Sequence, residues 1–390
     1  MKAITKPFVV MMGILSLTAC NANTKQNQQD LAINQTVIET NLKTDKPEIK
    51  VALLLDTSNS MDGLIDQAKA QLWEIVNELS YAKCEEQNPN LKIALYEYGN
   101  DNLNADEGYL RQVLAFSDDL DEISKSLFSL TTKGGNEYCG KVVKTALDQL
   151  NWGDKQDDLK LIFIAGNEPY TQGTVSYKEA SKLAHQKDVT VNTIFCGDYN
   201  QGISGFWKDG ADLTHGDYIA INQNKATVHI ASPYDDKILE LNEKLNKTYV
   251  AYGYLGRQKM EMQAEQDLNA MSYNKANAVS RTVSKSSRLY MNSSWDLVDA
   301  EKEADFSYED LDEKQLPEEL KGKSKDEIKS YVEKKRVERE KLQKEIAELN
   351  IKRKSYIAKK SDNKNNGLEN AMVNAIKTEA KKKNYVWDRQ

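Results

Sequence analysis

From residue 49 to about residue 250, short apolar runs alternate with segments whose apolar positions recur at helical spacing. Ile49–Asp56 is an apolar run of strand length, the pattern of a strand buried on both faces. Gly63–Leu79 follows, with Leu64, Ile65, Ala68, Leu72, Ile75, Val76 and Leu79 on one helical stripe. Leu91–Tyr98 predicts a second strand and Val113–Phe116 a short apolar run after a polar loop. Helices are predicted from Ser117 to Leu130, and from the glycine-bearing loop Thr131–Glu137 to Leu150. Leu159–Ala165 and Val189–Phe195 read as further buried strands. The helix between them opens at Ser176-x-x-Glu179, where the two side chains satisfy free amides reciprocally. Phe206–Leu213 reads as helical, Tyr218–Ile221 as a last short strand, and Ser232-Pro233 as the start of another helix. Repeated strand–helix units predict an α/β fold. The expected architecture is a doubly wound, mostly parallel, six-stranded sheet over residues 47–250.

Beyond Leu255 the pattern weakens and polarity rises. Gln258–Ser284 is polar and helix-compatible, and Tyr308–Leu320 is acidic and broken by Pro317. Ser324-x-x-Glu327 is a second capping box, and a highly charged helix to about Lys360 follows. Ile328, Leu342, Ile346, Leu349 and Tyr356 fall near a heptad seam, but Lys335, Arg339 and Arg353 occupy other slots of it. Residues 251–390 therefore read as a charged helical extension. A solvated tail held by charge pairs four apart is the preferred reading over a dimerising coil.

The N-terminus changes the compartment. Lys2 and Lys6 precede an apolar stretch from Phe8 to Leu17, and Leu17-Thr18-Ala19-Cys20 follows. The stretch is too short for a spanning helix and reads as a signal peptide over residues 1–19. Small residues before a cysteine resemble the lipobox of bacterial lipoproteins. That resemblance implies that Cys20 carries the lipid and anchors the chain to a membrane. Asn21 is not the aspartate associated with inner-membrane retention, so the expectation is the outer membrane of a cell envelope. Residues 20–46 are polar and read as a disordered tether. The formal charge of −7, with basic residues mixed among acidic ones, argues against a nucleic-acid binder.

Candidate chemistry sits where the first strand ends. Asp56-Thr57-Ser58-Asn59-Ser60 closes the apolar run, and a helical pattern begins at once. Asp-x-Ser-x-Ser at the carboxyl end of a buried parallel strand resembles the metal-ion-dependent adhesion site of von Willebrand factor A domains. One carboxylate and two hydroxyls, two residues apart, converge on a point. Hard oxygens of this kind suit Mg²⁺, Mn²⁺ or Ca²⁺. The resemblance implies a site completed by a threonine in a glycine-bearing loop and an aspartate after a later strand. Here Asn136 stands where the threonine is usual and Gly166 where the aspartate is usual. Glu137 and Glu168 are longer acids nearby that can reach in. Two alternatives stay open: Ser58 and Ser60 cap the next helix without a metal, and a Glu near a helix start serves the helix dipole alone.

Of four cysteines, Cys84 falls at the opposite sheet edge from Asp56, whereas Cys139 and Cys196 are expected at the same edge. A Cys139–Cys196 disulfide is geometrically conceivable; the alternative is reduced cysteines used as small core residues. The three histidines, His185, His215 and His229, show no ligand spacing, and neither a nucleophile elbow nor a phosphate loop occurs. The resulting expectation is a non-enzymatic envelope lipoprotein. Its first domain binds a partner protein, with a partner's Asp or Glu completing the shell of a divalent cation. A metal-free envelope scaffold is the runner-up, and a metal-dependent hydrolase the third reading.

Overall fold

A computed structural model describes residues 46–225, 229–360 and 368–388. The leader at 1–19, Cys20 and the tether as far as residue 45 lie outside the described residues. The first half of the chain runs β1 (Glu48–Asp56), α1 (Asp62–Leu79), β2 (Ala82–Cys84), β3 (Asn90–Tyr98), β4 (Leu110–Ser117), α2 (Leu120–Phe128), α3 (Cys139–Gln149), β5 (Leu159–Gly166), α4 (Tyr177–Gln186) and β6 (Thr190–Cys196). It continues with α5 (Tyr199–Ser204), α6 (Trp207–Asp212), β7 (Tyr218–Ile221), α7 (Asp235–Asn246), α8 (Gly256–Tyr273), α9 (Lys275–Lys285), α10 (Leu297–Ala300), α11 (Lys325–Lys360), α12 (Leu368–Lys382) and β8 (Tyr385–Trp387).

The main sheet has six strands in the order β4-β3-β1-β5-β6-β7. All neighbours are parallel except the edge pair β3–β4. β1 lies inside the sheet, which is why its run is apolar without alternation. Its side chains still divide by parity. Ile49, Val51, Leu53 and Leu55 join the hydrophobic cluster under α1, α2 and α7. Ala52 and Leu54 join the cluster under α3 and α4 on the other face. The parallel strands run to a common edge, so Asp56, Tyr98 and Gly166 end side by side.

The helices after residue 250 pack into the same core. Val279 and Val283 of α9, Leu342 and Ile346 of α11, and Ala375 and Ile376 of α12 belong to the cluster that includes β1 and α1. Their polar groups are matched as closely as their apolar ones. Asn77 Nδ2 donates to the Ser280 carbonyl at 2.9 Å, and Asn277 Nδ2 to the Ala70 carbonyl at 2.9 Å. The buried Arg281 pairs with Asp121 at 2.8 Å and Asp267 at 2.6 Å, with its guanidinium 4.9 Å from the centre of the Trp73 ring. Lys285 joins Asp267 at 2.8 Å, and burial lowers its ammonium pKa to about 8. At the opposite edge from Asp56, β8 pairs antiparallel with β2.

The expected solvated helix is therefore a docked one. Its Ser324 capping box forms: Ser324 N donates to Glu327 Oε2 at 2.8 Å, and Glu327 N to Ser324 Oγ at 3.4 Å. Ile328, Val332, Arg339, Leu342, Ile346, Asn350 and Arg353 are buried along one stripe of α11. The seam that looked unfit for a coiled coil faces the chain's own body. Arg339 and Arg353 are not defects in it, because each meets a buried carboxylate. Arg339 Nη1 donates to Asp296 at 2.6 Å, and its guanidinium lies 4.0 Å from the Tyr249 ring centre. Arg353 Nε donates to Asp235 at 3.1 Å. The Ser176 box does not form through its side chain; Glu179 N donates instead to the Ser176 carbonyl at 3.1 Å.

Arg339 offers a direct test of this docking. Asp296 and Asp299 are both buried and both pair with it. Removing one partner of a buried ion pair strands the other and costs about 3–5 kcal/mol. Arg339→Ala is expected to lower unfolding free energy by that amount in urea titrations. A loss below about 1 kcal/mol, the scale of an exposed pair, would contradict a docked α11.

Candidate functional site

β1 delivers Asp56 to the carboxyl edge of the sheet, where ligands of open α/β sheets gather. The turn that follows is set by local hydrogen bonds. Asp56 Oδ1 accepts from Ser58 N at 2.7 Å, Thr57 N donates to the Tyr98 carbonyl at 2.8 Å, and Met61 N to the Ser58 carbonyl at 3.0 Å. This short turn leads directly into α1. Ser58 Oγ lies 3.3 Å from Ser60 Oγ, and Ser60 Oγ lies 3.5 Å from Asn167 Oδ1. Asp56 is fully buried, Ser58 nearly so, and Ser60 exposed, so the three oxygens step from the floor of the site to solvent.

The glycine-bearing loop is fastened against this turn. Lys133 N donates to the Thr57 carbonyl at 2.9 Å and Asp101 N to the Gly134 carbonyl at 2.8 Å. Gly135 has no room for a side chain: a Cβ there would lie 2.8 Å from the Gly99 carbonyl oxygen and 2.9 Å from Asp101 N. The loop ends by turning Glu137 inward, where it is only 3% exposed. Gln172 Oε1 accepts from Glu137 N at 2.5 Å, and Glu137 Oε2 accepts from Glu168 N at 3.3 Å. The carboxyl groups of Asp56 and Glu137 meet at hydrogen-bonding range, and Ser58 reaches both. Gly99 makes the meeting possible. Its φ of +77° suits glycine, and a Cβ there would lie 2.7 Å from Asp56 Oδ1 and 2.8 Å from Glu137 Cγ.

The electrostatics follow from that contact. Burial, and then the neighbouring Glu137 charge, push the Asp56 carboxyl well above the usual carboxylate range. Burial also raises Glu137, against the lowering effect of its hydrogen bonds. Asp56 Oδ2 is buried with no hydrogen-bond partner among the described residues. An unpaired buried carboxylate oxygen beside a second carboxylate is costly unless a proton or a cation joins them.

Gly166 has a packing reason. A Cβ there would lie 2.5 Å from Tyr98 Oη, 3.2 Å from the Trp207 ring and 3.3 Å from Asp56 Cβ. Tyr98 and Trp207 are fully buried and held in place. Tyr98 Oη donates to the Ala165 carbonyl at 3.0 Å, and Trp207 Nε1 to the Glu168 carbonyl at 2.8 Å. The space an aspartate would use is filled by two aromatic residues.

Of the sequence-derived ligands, Asp56, Ser58, Ser60 and Glu137 converge. Asn136 is exposed, and no hydrogen bond joins it to Asp56 or Ser58 among the described residues. Glu168 is exposed and contributes its backbone N–H rather than its carboxylate. Gly99, Tyr98 and Gln172 shape the site and carry no motif; a glycine directly after a buried strand was the one available signal. Among the described residues no group of three or more His, Cys, Asp or Glu side chains is placed to hold a metal ion. The donor set here is two carboxylates with neutral hydroxyls. Such oxygens fit a hard divalent cation, and the unpartnered Asp56 Oδ2 is the atom that fits one best.

No bond joins Cys139 and Cys196 in the structure. Cys84, Cys139 and Cys196 are buried free thiols. The two candidates share the sheet edge but not the sheet face: Cys196 belongs to the cluster under α1, and Cys139 to the cluster under α3. Cys139 Sγ lies 3.7 Å from Tyr98 Oη instead.

The family of the von Willebrand factor type A domain matches residues 50–204. No curated protein matches the chain. Among solved structures, the conserved hypothetical protein BatB from Bacteroides thetaiotaomicron is 17% identical, covering 44% of this chain and 90% of its own, with a TM-score of 0.34. An aerotolerance-related membrane protein from Bacteroides fragilis is 17% identical, covering 45% and 93%, with a TM-score of 0.31. The open conformation of the pilus adhesin SpaC from Lactobacillus rhamnosus GG is 12% identical, covering 46% and 28%, with a TM-score of 0.34. The six-stranded sheet, the Asp56 turn at its carboxyl edge and the family match lead to one conclusion: residues 50–204 form a von Willebrand factor type A domain.

Proposed function

We propose that the edge built by Asp56, Ser58 and Ser60 is a protein-recognition face that works with a divalent cation. Von Willebrand factor A domains commonly mediate protein–protein interaction. The observation that carries the reading for this chain is the buried, unpartnered Asp56 Oδ2, at the floor of a row of oxygens that ends in solvent at Ser60. Asp56, Ser58 and Ser60 would hold the ion, and the ion would offer a partner's Asp or Glu a coordination position. The short turn and the clamped glycine loop hold these oxygens in place before a partner arrives, which lowers the ordering cost of binding. The sequence holds no phosphate-binding loop, and no nucleophile–base pair among the described residues supports an enzymatic reading.

A second reading rests on the Asp56–Glu137 contact. Two buried carboxyls at hydrogen-bonding range can share one proton, as other carboxyl dyads do, and the edge then recognises partners without a metal. Cation dependence separates the two readings. Native-state binding raises stability by RT ln(1 + [L]/Kd), about 2.7 kcal/mol at a hundredfold excess over Kd. Metal-stripped wild-type protein titrated with Mn²⁺ is expected to give binding heat and a higher melting temperature, and Asp56→Ala to give neither. Absence of both signals from the wild type at millimolar Mn²⁺ would leave the proton-sharing reading.

The same proposal puts the domain at the envelope through a lipid on Cys20, with the outer membrane as its site. The ordered charged, apolar and small-residue segments before Cys20 support this. No helix among the described residues is long and apolar enough to cross a membrane. Cys20→Ala is expected to leave an unprocessed precursor and to abolish labelling by a radioactive or clickable fatty acid. Undiminished labelling of that variant would contradict the anchor.

A further inference from the structure

Resting on the cation reading, we infer that the second negative charge of the site has moved from the third loop to the second, and that Glu137 supplies it. A divalent cation bound by one carboxylate and neutral hydroxyls lacks half of its charge balance. Position 166 cannot contribute, because Tyr98 Oη and the Trp207 ring occupy the space a side chain would need. Glu168 does not contribute, because its side chain is exposed while its N–H and carbonyl are engaged with Glu137 and Trp207.

Glu137 has the opposite disposition. Its carboxylate is buried, touches Asp56 and Ser58, and is oriented by the Glu168 N–H. It lies two residues before α3, yet its carboxylate caps no N–H of that helix among the described residues; the Cys139 N–H goes to the Glu137 backbone carbonyl at 3.2 Å. Service to the helix dipole alone does not explain a side chain turned into Asp56. The extra methylene of Glu over Asp matches the longer reach from the second loop. Gly99, strained for any other residue, leaves open the volume beside Asp56 Oδ1 and Glu137 Cγ in which the two carboxyls meet, while the other Asp56 oxygen, Oδ2, has no partner among the described residues. The residue that blocks the old position and the residue that makes room for Glu137 thus belong to one packing solution: Tyr98 and Gly99 are consecutive.

The test titrates metal-stripped wild type, Glu137→Gln, Glu168→Gln and Gly166→Asp with Mn²⁺, followed by calorimetry and by the paramagnetic resonance signal of free Mn²⁺. Glu137→Gln is expected to bind at least about tenfold more weakly, and Glu168→Gln to bind as the wild type does. Gly166→Asp should bind no tighter than the wild type and melt lower, because its side chain displaces Tyr98. In chelator, Glu137→Gln should melt at or above the wild type, since its amide can donate to the Asp56 carboxylate. Should that variant fail to fold, Glu137→Asp keeps the charge but withdraws it by one methylene, and is also expected to bind more weakly. If the wild type binds Mn²⁺ and Glu137→Gln binds equally well, Glu137 is not the second ligand although the cation reading stands. If Glu168→Gln loses affinity instead, the assignment is wrong. If the wild type binds no Mn²⁺, the cation reading and this assignment fall together.

Discussion

The contact between the buried carboxyls of Asp56 and Glu137 is the constraint around which the carboxyl edge of the sheet is arranged. Like charges meet at low dielectric only where something repays them. The surrounding structure is built to enforce the meeting. Gly99 removes the side chain that would separate them, the Gly134-Gly135 loop is zipped to the Thr57 and Asp101 backbone, and Gln172 fixes the Glu137 N–H. Among the described residues no cationic side chain takes part, and Asp56 Oδ2 is left unpartnered. On the proposed reading the site takes up a metal ion, which the hydroxyls of Ser58 and Ser60 favour over a proton.

The polar helical extension serves the same edge from behind. α1 starts at Asp62, one residue after the turn that carries Ser58 and Ser60, and it is gripped by α9 and α12. Asn277 and Ser280 bond its backbone and side chains, and Arg281 stacks on its Trp73. Buried ion pairs of this kind contribute modest net stability, but a shifted helix would strand a buried charge. A site held on a rigid strand and a clamped helix keeps its oxygens in register better than one held on loops alone.

Much of this was legible in the residues. The apolar run of β1, the helical stripe of α1 and the Asp56-x-Ser58-x-Ser60 spacing led directly to the sheet, its carboxyl edge and three of the oxygens. What was hidden lay in directions rather than identities. Side chains in loops have no period, so nothing in the string distinguishes the inward Glu137 from the outward Glu168. Gly166 was a puzzle in sequence because its explanation, Tyr98 and Trp207, comes from distant elements. Cys139 and Cys196 share a sheet edge but not a face: Ile194 and Cys196 share one face of β6, while Phe195 faces α3 with Cys139. The arginines of α11 broke the heptad pattern because the helix seats against buried aspartates rather than against a copy of itself.

The most direct measurement of the central claim is a crystal of the protein soaked in Mn²⁺, with data collected for anomalous scattering. The account expects an anomalous peak in ligand contact with Asp56, Ser58, Ser60 and Glu137 and with no protein ligand at residue 166. A map with no peak at that edge, and the Asp56 and Glu137 carboxyls still in contact, would contradict it.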